Sequence, residues 1–219
     1  MDVFAQASEY ALTNFEMLLQ RFQEHLLLVA VPLGFGLLMG LPLGLWSARS
    51  RTASTVLING FNALRVIPSL AVLFLLIPYS GLQFQSAAIA LTLLAMPPIL
   101  ISTDIAFRTI DPMIREAAIG MGMDSRQVLR LIEIPLALPV IIAGVKTATV
   151  EVIASATLAA FIGAGGLGSF IVLGFSLYDN AILLVGAIPV AVLALLAEVL
   201  LSHLQKALQP PSKPVGNQS

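Results

Sequence analysis

Five stretches of the chain, 26–46, 56–78, 84–107, 137–161 and 181–204, carry apolar residues almost without interruption, and polar residues gather between them. A helix rising about 1.5 Å per residue needs roughly 20 apolar residues to cross about 30 Å of hydrocarbon, so each stretch predicts a membrane-spanning helix. Ahead of the first, Phe15, Leu18, Leu19, Phe22 and Leu26 recur at three- and four-residue spacing. That period predicts an amphipathic segment over residues 1–25, lying at the membrane surface and leading into the first span. Between the fourth and fifth spans, "GAGGLGSFIVLGFSLYDN" has an apolar centre too short to cross, which predicts a re-entrant or interfacial element. The pattern as a whole reads as an all-α membrane protein, with a single transmembrane domain over 26–208 and a disordered tail over 209–219.

Composition strengthens the membrane reading over a soluble helical core: 58% of the 219 residues are hydrophobic and 11% charged, and the mean hydropathy is +0.96. Asp2 and Glu9 stand where a cleavable signal would carry positive charge. The formal charge of −1 shows no basic excess to hold nucleic acid. There are no cysteines, and the two histidines, His25 and His203, are far apart, so no metal site is expected.

Lys and Arg positions set orientation, because short basic loops stay in the cytoplasm. With the N-terminus outside and the C-terminus inside, Arg49, Arg51, Arg108, Arg115, Arg126, Arg130, Lys206 and Lys213 are all cytoplasmic, and only Arg21 is external. Prolines at 32, 42, 68, 97, 98, 139 and 189 lie in or at the edge of spans. Such breaks persist in lipid where neighbouring helices satisfy the freed backbone, which predicts a packed bundle. Gly36, Gly40 and Gly44, like Ser155, Ala159 and Gly163, form small-residue stripes suited to close helix contact. No internal repeat is visible.

The loop over 108–136 is the most polar part of the interior sequence. Its apolar positions fit one or two short helices, with Asp124 or Ser125 as N-cap of the second and Pro135 ending it. Gly120 and Gly122 each cost a helix about 1 kcal/mol relative to alanine. Close approach of a soluble partner would account for that cost, and a solvated connection between spans is the alternative. In the first case alanines and glycine make the contact, with Glu116, Arg115, Arg126 or Arg130 at its rim.

"EAAIGMG", followed by Ile132 and Pro135, resembles the EAA signature of ABC-importer permeases: Glu116, Ala117, Ala118, Gly122, Ile132 and Pro135 match, and Ile134 stands in for the usual Leu. "ALRVIPSLAVLFLLIP" and "TLAAFIGAGGLGSFIVLGF" are similar to segments of permeases that import glycine betaine, carnitine or choline. The resemblance implies a type I importer core of about five transmembrane helices, similar to the methionine importer, in the bacterial cytoplasmic (inner) membrane. It also implies a second permease, identical or related, a cytoplasmic ABC ATPase dimer and an extracytoplasmic substrate-binding protein. Coupling to the ATPases then falls to Glu116, Ala117, Ala118, Gly122, Arg126, Ile132 and Pro135.

The chain has no phosphate loop, since its only Lys-Thr pair, at Lys146, is preceded by Val145 inside a span. Nor does it hold a catalytic constellation, so it is read as a transport subunit and not an enzyme. It needs no cofactor, and ATP and Mg would act on the partner. Arg65, Lys146 and Glu151 are charged within spans and are candidates either for the pathway or for intramembrane pairing. Asp104 and Glu198 lie nearer the cytoplasmic ends. No aromatic cage for a permanent cation is visible, and Trp46 reads as an interfacial anchor. Gly163, Gly165, Gly166 and Gly168 fit an outer gate or a tight turn. The competing classes are a carrier or channel that needs no ATPase, a permease for methionine or another small solute, and a simple membrane anchor.

Overall fold

In the computed structural model the described residues, 2–80 and 83–209, form ten α-helices joined by short turns, with no strand among them. The tail expected at 209–219 falls, from residue 210 on, outside the described residues. Among the described residues four helices are long and apolar enough to cross a membrane, and a bent pair brings the number to five.

Helix α1, Val3–Thr13, is capped by Asp2, and α2 runs unbroken from Phe15 to Arg49. The segment expected over 1–25 is divided between two helices: the chain breaks at Asn14, and Phe15 to Leu26 are the first turns of the long helix that continues into the first apolar stretch. Leu18 and Phe22 pack on the main core, which draws this stretch into the bundle. Helix α1 instead lies on the last helix, with Ala7 beside Ala181, Ile182 and Val185. Tyr10 meets Phe170 edge-on, ring centroids 6.4 Å apart.

The stretch 56–78 is not one straight span. Helix α3, Arg51–Val66, and α4, Ser69–Ser80, meet at 96°. The cause is local: a residue before proline is pushed out of the helical region, and Ile67 before Pro68 is extended, with φ −75° and ψ 123°. Prolines inside α2, α5 (Phe84–Arg108), α8 (Ile134–Ala156) and α10 (Asn180–Leu208) leave those helices continuous.

Helix α5 is the centre of the bundle, packed chiefly by α2 and α8. The stripe Gly36, Gly40 and Gly44 faces it. A Cβ at Gly36 would lie 3.0 Å from Ala95 Cβ, at Gly40 2.9 Å from Ile99 Cγ2, and at Gly44 2.5 Å from Thr103 Cβ. The glycines are thus spent on helix contact within the subunit. On an adjacent face of α5, Gly144 of α8 sits against Ser102 and the Pro98 carbonyl.

The helix that holds the fourth span is longer than 137–161: residues Ser125–Ile162 form one continuous helical rod. It starts with α7, Ser125–Gln127, passes through a π-helical turn, Val128–Glu133, continues as α8, and tightens to a 3₁₀ turn, Thr157–Ile162. Pro135 does not end the preceding helix as expected. It occupies the first turn of α8, where its missing N–H is tolerated and the wide π turn before it takes up the change in register. The glycine-rich segment folds into a ten-residue apolar helix, α9, Gly168–Leu177, which packs beside α10.

Candidate coupling loop and membrane-embedded ion pairs

Helix α6, Pro112–Gly120, carries the EAA residues. Asp111 caps it, accepting from Met113 N at 2.9 Å, and Pro112 opens it with its φ already helical. Its end explains Gly122. The amide of Gly122 donates to Ile119 O at 2.9 Å and that of Met123 to Ala118 O at 3.2 Å, a Schellman closure that needs a left-handed residue, and Gly122 has φ +86°. Nothing lies within 4 Å of a Cβ placed there, so backbone conformation accounts for this glycine within the subunit. Asp124 then forms a capping box with Gln127: its Oδ1 accepts from Arg126 N and Gln127 N, each at 2.8 Å, and Gln127 Oε1 accepts from Asp124 N at 2.8 Å.

Glu116, Ala117, Gly122, Arg126 and Pro135 are exposed and Ile132 half-buried, whereas Ala118 is turned inward at 1% exposure. The open face of α6 is thus built by Glu116, Ala117 and Gly122, with Ala118 as its anchor. Beneath it Glu133, 6% exposed, pairs with Arg115 of α6 and lies 3.7 Å from Arg49 at the end of α2. Arg49, Arg115, Arg126, Ser125 and Glu133 help line a cleft of about 400 Å³ here.

Arg65, Lys146 and Glu151 do not form one cluster. Arg65 Nη2 meets Glu151 Oε1 at 2.9 Å, joining α3 to α8 beside the α3–α4 bend. Lys146 instead turns to α10, 2.9 Å from Glu198 Oε1 and 3.2 Å from Ser202 Oγ. Five residues of separation put Lys146 and Glu151 on different faces of α8, so each finds a partner on a different neighbour.

Three polar sites were not legible in the spacing. Asp104, 3% exposed, accepts from Ser47 Oγ at 2.6 Å and from Arg108 Nε at 2.9 Å, while Arg108 Nη2 donates to Ser47 O at 2.7 Å. This welds the C-terminal ends of α2 and α5. Glu24, paired with Arg21 at 2.8 Å, reaches the glycine segment and accepts from Gly166 N at 2.9 Å. His25, beside it, is fully buried. Helical spacing signals only the Asp104–Arg108 (i, i+4) and Arg21–Glu24 (i, i+3) pairs in advance; the contacts of Ser47 with Asp104 and Arg108, and of Glu24 with Gly166, join residues far apart in sequence.

The glycines at 163–168 make a tight turn. Gly163, Gly165 and Gly166 have φ of +74°, +80° and +76°, and Gly168 lies against the Thr157 carbonyl, where a side chain would not fit.

Residues 40–210 match the family described as binding-protein-dependent transport system inner membrane component. The chain belongs to that family. Among curated members, it is 40% identical over 211 residues to the carnitine transport permease protein OpuCD of Listeria monocytogenes, covering 96% of this chain and 95% of that one. It is 38% identical over 218 residues to the glycine betaine/carnitine/choline transport system permease protein OpuCD of Bacillus subtilis, covering 99% and 95%. To the choline transport system permease protein OpuBB of that organism it is 36% identical over 202 residues, covering 92% and 93%. The fold of this permease is also that of the MetNI methionine ABC transporter in an inward-facing conformation, with a TM-score of 0.76 at 23% identity over 90% of this chain and 98% of that one. The expected type I core is thereby present, and the chain is a multi-pass inner-membrane permease related to osmoprotectant permeases.

Proposed function

We propose that this permease moves a small osmoprotectant, of the glycine betaine, carnitine or choline class, into the cytoplasm by alternating access driven by a partner ATPase dimer. The observation that carries this reading is the 40% identity, over 96% of the chain, to a carnitine permease. The loop geometry supports it: α6 stands outside the long spans, firmly capped at both ends, with Glu116, Ala117 and Gly122 open to a partner. A rigid short helix of this kind fits a groove on a soluble protein.

In this scheme ATP and Mg bind the partner subunits, a second permease completes the pathway, and an extracytoplasmic binding protein delivers the solute. The N-terminus is outside and the C-terminus inside, which puts α6 on the ATPase side. Two distant surfaces bias one two-state bundle, the ATPases at α6 and the binding protein at the other end. Arg65 and Glu151 line the route, where their half-exposed charges meet the solute, and Lys146 braces α8 against α10. The glycine turn at 163–168 serves as part of the outer gate. Likeness to the methionine transporter is one of fold and does not favour methionine over osmoprotectants.

Uptake and ATP hydrolysis in vesicles holding the permease, its ATPase and its binding protein test the reading. ATP-dependent uptake of betaine, carnitine or choline is expected, and it is lost in Gly122→Asp with the complex still assembled. Uptake by the permease alone would favour an ATPase-independent carrier and overturn the proposal.

A further inference from the structure

Helix α6 has little apolar hold on the rest of the molecule. Met113, Ile114, Ile119 and Met121 are 73%, 40%, 61% and 72% exposed, and Ala118 is the one buried residue of the helix. Its attachment is therefore mainly polar, and it passes through Arg115. One arm of that guanidinium, Nη2, donates to Phe107 O at 3.1 Å, near the end of α5, and Nε pairs with Glu133.

Glu133 closes the π turn directly before α8 and is 6% exposed, with Arg49 at the last residue of α2 facing its second oxygen at 3.7 Å. One buried carboxylate thus gathers cations from α2 and α6 at the foot of α8. Burying such a charge is costly unless it is paired, and removing it would leave Arg49 and Arg115 to repel each other across the cleft. The EAA signature leaves this position, between Ile132 and Ile134, unspecified.

We infer that Glu133 is a positioning residue that fastens the coupling helix to the spans, so that displacement of α6 is carried into α2 and α8 and not lost as slack. The inference rests on the reading of α6 as the ATPase-facing helix. Arginine suits the clasp, because its Nη2 hydrogen-bonds a carbonyl while the delocalised charge pairs with the carboxylate beside Nε, which the single ammonium of lysine does less well.

The test uses Glu133→Gln, which removes the charge at similar size, Arg115→Lys, which keeps charge but loses the guanidinium, and Glu133→Asp as the conservative variant. Amide exchange across 112–120 is measured in the permease dimer in lipid discs. Solute moved per ATP hydrolysed is measured in the full complex with its ATPase and binding protein, and normalised to assembled complex. For Glu133→Gln and Arg115→Lys, exchange over 112–120 should rise roughly tenfold with the spans unaltered, since exchange reports local opening. Solute per ATP should fall several-fold, with partial recovery in Glu133→Asp. Unchanged exchange would overturn the clasp, and an unchanged transport ratio per assembled complex would overturn its role in coupling. If the wild-type complex showed no ATP-dependent uptake, the importer reading and the coupling role would fall together, while the exchange experiment would still decide whether Glu133 fastens α6.

Discussion

Arg65 Nη2 and Glu151 Oε1 stand 2.9 Å apart although 86 residues separate them, and the contact ties the last turn of α3 to α8 just where the chain bends by 96° into α4. Both side chains are partly open, at 41% and 31%. A charge that loses its partner within a span is penalised more than a neutral pair. Arg65→Gln and Glu151→Gln should each destabilise the permease by about 1–3 kcal/mol, and the double variant by less than their sum. Thermal unfolding in detergent checks the stability cycle, and uptake by the same variants reports whether the pair also meets solute.

The α2–α5 contact gives a prediction with an internal control. Gly44→Ala places a Cβ 2.5 Å from Thr103 Cβ, on a helix that cannot yield without moving the core, whereas nothing lies within 4 Å of a Cβ at Gly34 on the same helix. Gly44→Ala should cost about 1–3 kcal/mol by overpacking, and Gly34→Ala should be neutral or stabilise by up to about 1 kcal/mol through helix propensity. Equal melting temperatures for the two would contradict the close approach.

At Gly122 the order of replacements matters. Its φ of +86° is reached by asparagine more readily than by alanine, and an aspartate would add charge to the open face of α6. Transport should fall in the order Gly, Asn, Ala, Asp, with the alanine penalty on α6 stability near 1 kcal/mol. Uptake rates normalised to assembled complex would show it, and an asparagine variant worse than alanine would count against the Schellman closure.

Asp104 is the most enclosed acid that is bonded to another helix, held by Ser47 and Arg108 at the α2–α5 junction. Asp104→Ala strands the Arg108 charge and should destabilise by about 3–5 kcal/mol, with Ser47→Ala milder at about 1–2 kcal/mol. Unfolding midpoints in denaturant would rank the two.

Glu24 is the latch of the glycine turn. Glu24→Gln keeps the size but weakens the bond to Gly166 N and the pairing with Arg21, so amide exchange at 163–168 should quicken while that in α2 and α5 stays slow. Unaltered exchange at the turn would show that packing against His25 and Leu28 holds it without the carboxylate.

Much of this architecture is written in single stretches of sequence, and its departures have definite causes. Apolar runs foretold the long helices, and Asp124 was visible as a cap because its partners lie within three residues. Gly122 was visible as costly to a helix, and close approach of a partner was the reason expected; the structure adds a second one within the subunit, a left-handed helix end at φ +86°. Pro68 and Pro135 look alike in sequence, yet one breaks a helix and the other opens one, because only the second follows a wide turn with freedom to shift register. The pairing of Arg65 with Glu151 and of Lys146 with Glu198 could not be read from spacing, since each joins different helices.

The sequence by itself determined that the chain is helical and membrane-embedded, where its polar loop lies, and to which family that loop belongs, because hydropathy, caps and a twenty-residue motif are local properties. Only the tertiary structure decided which face of α6 is open, that Ala118 points inward, and that Glu133 sits between Arg49 and Arg115. The physical reason is that a buried charge must find its partners through space, and the helix rotations and crossings that bring α2, α6 and α8 together are set by packing across the whole bundle.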